Sequence, residues 1–115
     1  MNIASHIASM SADHAEAFRA AGDRWVKSDE RARRLEELKD HTLAKRMKAR
    51  GDIAVAAAKR DVEATQEWAD FLTEMVQARS QANRERIEME YLHMKFFERH
   101  GVRRALELLS GDVTT

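Results

Sequence analysis

The stretch QARSQANRERIEMEYLHMKFF, Gln77 to Phe97, decides how this chain folds. Its first ten residues are polar. Its last ten, EMEYLHMKFF, carry six large apolar or aromatic side chains in a chain that is otherwise heavily charged. If the polar half breaks the helix, the chain folds as a compact bundle; if not, it holds one very long helix. That half contains no Gly or Pro, and most of its residues are good helix formers. The residues favour a long helix that exposes its middle.

Outward from there, nothing between Ile53 and His100 forbids one helix of 48 residues. At 1.5 Å per residue it would be about 72 Å long, against a radius of gyration of about 13 Å for a compact chain of this length. Projection at 100° per residue places Val55, Ala58, Val62, Thr65, Ala69, Val76, Asn83, Ile87, Tyr91 and Met94 on one face. Met89, Leu92 and Phe96 fall roughly 140–200° away from Ile87. A helix wetted on one side does not explain an end that is apolar on two faces. The expectation is therefore a helix end sandwiched between two neighbours, with Ile87, Met89, Tyr91, Leu92, Met94, Phe96 and Phe97 forming a dimer or partner interface.

The remaining elements follow from sparse punctuation. Residues 1–10 are read as a short helix or an arm, with Ile3, Ile7 and Met10 at helical spacing. Asp13 and Glu16 have capping-box spacing, and Phe18, Ala21 and Trp25 continue a helical stripe before Gly22-Asp23 interrupts it. Ser28 offers an N-cap, with Asp29 and Glu30 suited to the positive end of the dipole, so a basic helix is expected over 28–50 with Leu35, Leu38 and Thr42 inward. Gly51 fits a C′ position, Asp52 can cap the next helix, and RGD reads as a tight connection. The long helix spans 52–100 and Gly101 ends it. A short helix over 102–110 then folds Leu106, Leu108 and Leu109 back towards Phe96 and Phe97.

Composition agrees. The 115 residues are 43% hydrophobic and 35% charged, with no Pro and four Gly, a mixture rich in helix formers. The fold class is all-α: an elongated helical hairpin or bundle with one long C-terminal helix, forming a single helical domain over 1–115 and a homodimer. Twenty Lys/Arg balance twenty Asp/Glu, so no global field recruits polyanions. Locally the balance is uneven. Residues 24–50 carry ten basic and five acidic side chains, a net of +5, whereas 51–98 carry six and ten, a net of −4. The two segments should attract each other.

Without cysteine there is neither a disulfide framework nor thiolate chemistry. The start, MNIASHIASM, lacks the pattern of a signal peptide, and no segment approaches the roughly 18 apolar residues of a membrane span. The reading is a cytoplasmic protein with no membrane partner.

Chemistry has few footholds. Glu90 and His93 have the Glu-x-x-His spacing of carboxylate-bridged di-iron bundles, but the chain holds no second copy, which a homodimer alone would supply. His93 is therefore read as a solvated or interface histidine. There is no nucleophile elbow and no Gly-rich phosphate loop. The expectation is a non-enzymatic protein with no cofactor, no metal and no small-molecule substrate. Arg31, Arg34, Lys45, Arg46, Lys48 and Arg50 supply the alternative, a basic helix that binds nucleic acid. Trp25, Trp68, Phe71, Tyr91, Phe96 and Phe97 sit at helical spacing and are read as core, not as stacking platforms.

One resemblance spans Glu67 to Glu98, about a third of the chain. WADFL, a polar Asn/Arg tract and EMEYLHMKFF resemble small helical proteins encoded in phages and prophages, in which a Trp-x-x-Phe-Leu element precedes a Met-Glu-Tyr-Leu-x-Met-x-Phe element. No catalytic residue carries over. The resemblance implies a small accessory protein that acts by binding, on a host or phage complex; an inhibitor of a host complex would be one such role.

Overall fold

A computed structural model of the chain describes residues 3–111, and side chains within 12–99 and at 104 and 106–109. The Ile3, Ile7 and Met10 side chains and the polar tail from Asp112 lie outside the described residues. Three helices follow in order: α1 (Ile3–Lys48), α2 (Val55–Glu63) and α3 (Gln66–Gly111). The described residues contain no strand. The all-α class and the long C-terminal helix stand as the sequence suggested.

Several helix ends differ from expectation, each for a local reason. Ser28 starts nothing: α1 runs unbroken for 46 residues through Gly22 and Ser28. A single helical Gly costs only about 1 kcal/mol relative to Ala. A Cβ placed on Gly22 would meet the Met89 sulfur at 3.6 Å, an ordinary contact, so neither space nor backbone geometry demands glycine there. At the other end Gly51 has φ +87°, the left-handed geometry expected after a helix C-terminus. Asp52 does not cap α2; the N-cap is Ala54, which makes no side-chain capping bond.

The helical run from Ile53 onward breaks at Ala64–Thr65, well before residues 77–86. Thr65 replaces a glycine or proline in that role. Its hydroxyl donates to the Val62 carbonyl at 2.6 Å and accepts from the Trp68 amide at 3.2 Å. One side chain thus closes α2 and caps α3. Gly101 does not end α3, which continues to Gly111. Leu106, Leu108 and Leu109 therefore extend the same helix and are exposed; they do not fold back.

The chain gathers into two compact units, Val26–Arg84 and Met1–Trp25 with Glu85–Thr115. In the first, α1 and α3 run antiparallel around a core of Ala32, Ala78 and Ala82 against which Leu35 packs. Ala58 and Val62 of α2 are also buried, as is Trp68, whose ring stacks on Phe71 with centroids 5.4 Å apart. In the second unit Ala21 is buried, and Phe18 and His14 of α1 meet His93 and Phe96 of α3.

Flanked by partly covered Leu72, Arg79, Gln81 and Lys95, a row of covered positions runs along α3: Trp68, Phe71, Met75, Ala78, Ala82, Glu85, Met89, Leu92 and Phe96. Their alternating steps of three and four make a heptad pattern, the signature of helices packed along a seam. The middle of the seam is lined by small residues, Ala78 and Ala82 beside Ala32 of α1, whereas Trp68, Phe71 and Met75 before it and Met89, Leu92 and Phe96 after it are large; of the seven buried apolar residues described, five are alanines. Helix separation depends on the side chains at the contact, so alanine at these positions permits close approach.

Candidate binding faces

The helix end expected to be sandwiched is covered on one side. Met89, Leu92 and Phe96 are partly buried. Phe96 meets the His14 ring edge-on at 6.2 Å, and Arg99 Nη1 lies 2.8 Å from His14 Nε2. A guanidinium carries only donors, so His14 Nε2 accepts that bond. These three apolar residues therefore take part in packing within the chain. Ile87, Tyr91, Met94 and Phe97 are instead open to solvent, at 60, 48, 67 and 61% exposure. Of the seven expected interface residues, these four remain available.

The four are bordered by charges already neutralised on their own helix. Arg86 pairs with Glu90 at 3.9 Å, Lys95 pairs with Glu98 at 3.9 Å, and the Lys95 ammonium lies 5.7 Å from the Tyr91 ring centroid. His93 is engaged too: its ring stands 5.3 Å from Phe18 and 4.7 Å from Phe97, centroid to centroid. Among the described residues no group of three or more His, Asp or Glu is arranged to hold a metal ion. Nor does any helix there have the length and apolarity to cross a membrane.

The basic residues divide in the same way. In Val26–Arg84, Arg31 pairs with Glu74 at 3.2 Å and Arg33 with Asp29 at 2.9 Å. Arg79 bridges two carboxylates of α1: Asp29 at 2.7 Å, and Glu36 through both Glu36 oxygens at 3.0 and 2.5 Å. The hydrogen bond from Arg79 is the main cause that holds the Glu36 carboxyl below its usual value, and the same contacts raise the arginine. In the other unit Arg24 pairs with Glu85 at 3.4 Å. The attraction between the basic and acidic segments is thus realised by Arg24 and Arg31. Arg79 adds a pairing of opposite sense, which segment charges alone do not reveal. Asp29, read as a helix-start residue, is an acceptor for two arginines; its spacing with Arg33 and Glu36 on one stripe of α1 was the available signal.

Beyond these pairs lie cations without them. Among the described residues Arg34, Lys45, Arg46, Lys48 and Arg50 have no carboxylate within ion-pair distance; all are exposed except Arg46, which is partly buried. The residues proposed for nucleic acid therefore split, with Arg31 committed to Glu74 and the others open.

Comparison with known proteins gives no match to any family model, curated protein or solved structure.

Proposed function

We propose that this protein is a non-enzymatic interaction module that binds a second copy of itself through the Ile87, Tyr91, Met94 and Phe97 face of α3. One observation carries this reading: the buried core is mostly alanine, while these four large apolar side chains stand in solvent on a helix already packed on its other side. Contiguous exposed apolar surface of this kind marks interaction sites. The bordering Arg86–Glu90 and Lys95–Glu98 pairs leave little net charge to repel an identical face. A dimer of this kind would serve as a small regulator or accessory protein that presents its remaining surface to another protein, as the resemblance to phage-encoded helical proteins implies.

Light scattering coupled to size exclusion tests the reading. The expected mass is near twice the 13.2 kDa of one chain. Met94→Asp should halve that mass and leave the helical circular dichroism signal intact, because Met94 lies outside the packed seam. A wild-type monomer at every concentration, or a Met94→Asp variant that stays dimeric, would overturn it.

A further inference from the structure

The turn end of the Val26–Arg84 unit carries a charge pattern that self-association does not use. Residues 43–60, from the last turn of α1 through the Gly51 turn into α2, hold six Lys/Arg and one Asp, a net of +5 in a neutral chain. Elsewhere in the same unit Arg31, Arg33 and Arg79 are each held by a carboxylate, whereas Lys27, Arg34, Lys39 and Arg84, spread along α1 and α3, are not. Here, among the described residues, only Lys59 has one, Glu63 at 3.8 Å, while Lys45, Arg46, Lys48, Arg50 and Arg60 have none. Some of this charge complements the C-terminal dipole of α1, but five open cations within 16 residues exceed what one helix end requires. Ile53 and Val55 are exposed between the two basic groups, at 44 and 73%.

We infer that this end docks on the phosphate backbone of duplex nucleic acid, independently of base sequence. Open lysines and arginines neutralise phosphates and release the counterions condensed on them. The absence of other residue types narrows the partner. No Phe, Trp or Tyr occurs from Val26 to Glu67, so there is no stacking platform for a single strand and no aromatic anchor for a membrane interface. No Asn or Gln occurs in 43–60, which removes the usual readers of adenine. Ile53 and Val55 are aliphatic side chains of the type that architectural proteins place against the minor groove beside Lys and Arg. This contact is separate from the α3 face and would survive the failure of the dimer reading; a dimer would present two such ends.

Fluorescence anisotropy of the full chain with a labelled duplex of about 20 base pairs and arbitrary sequence tests the inference. The expected result is binding that weakens steeply between roughly 50 and 200 mM salt. The combined Lys45→Ala, Lys48→Ala, Arg50→Ala variant should lose at least about tenfold in affinity, with a salt dependence less steep by about 0.9 for each phosphate contact removed. Arg31→Ala, which removes a cation held by Glu74, should bind as the wild type does, and Lys45→Arg with Lys48→Arg should retain binding. Equal weakening by Arg31→Ala and by single changes at the turn end would overturn the inference in favour of a diffuse charge effect. So would a triple variant that binds unchanged, tighter binding to the single strand of the same sequence, or binding to phosphatidylserine vesicles with none to the duplex.

Discussion

Residues 77–86 and 87–97 are neighbours on α3 whose appearance and burial are opposed. QARSQANRER looks like a solvated tract, yet Ala78 and Ala82 within it are almost wholly buried against Ala32, and Arg79 holds two carboxylates of α1. IEMEYLHMKFF looks like core, yet Ile87, Tyr91, Met94 and Phe97 are open. Helix pairing therefore does not follow apolar bulk alone: small residues allow close approach in the polar tract, while only Met89, Leu92 and Phe96 of the apolar stretch are partly covered. Alanine contributes little apolar area, but it places two backbones near each other and lets long polar side chains pair at the rim.

Filling the alanine contacts should cost the most. Ala82→Leu inserts a large side chain at a position with no exposure, and overpacking of this kind costs about 1–3 kcal/mol. Urea unfolding of the variant should show that loss. A neutral result would mean that α1 and α3 do not approach closely at Ala82, and the polar tract would revert to a solvated span.

A smaller effect sharpens the polar side of the same tract. Arg79 lowers the Glu36 pKa from its ordinary value of 4.5 on folding, so the contribution of Glu36 is fully present above that value and is lost as pH falls through the lower folded one. Because both side chains reach solvent, at 32 and 40% exposure, the contribution should be under about 1 kcal/mol. Glu36→Gln should therefore be less stable than the wild type at neutral pH, and the gap should close as the solution is acidified below the ordinary glutamate range. A gap that stays constant with pH would show that Glu36 acts through something other than its charge beside Arg79.

The sequence conveyed the class and not the seam. Helix content was legible because Ala, Glu, Lys, Arg, Leu and Met dominate and proline is absent. The Gly51 turn was legible for its left-handed geometry. The inward face was not: the projection took Ala69 as inward from the first turn of α3, where Ala69 is exposed and its neighbour Trp68 is buried. The projection also ran through Ala64–Thr65, where the helix breaks, and so joined Val55, Ala58 and Val62 of α2 to residues of another helix. ATQEW held the missed signal: a threonine ahead of a Gln-Glu pair and an apolar run is a helix start. Of the candidate faces, the open cations at 45–50 could be named from sequence, but only the pairing of Arg31 with Glu74 separates them from cations already engaged.

The smallest expected effect tests the exposed stripe itself. Val76 lies in the middle of the face that projection assigned to the core, yet it is 61% exposed. An exposed β-branched residue in a helix gains little from burial and loses some χ1 freedom, so serine in its place changes both terms only slightly. Val76→Ser should therefore shift stability by no more than about 0.5 kcal/mol in urea unfolding, the range for surface changes. A loss of about 1 kcal/mol or more would mean that Val76 is covered in solution. Concentration dependence then identifies the cover: a loss that grows with protein concentration assigns it to a second copy, extending the self-association face beyond Ile87, whereas a concentration-independent loss places Val76 in the packing of its own chain.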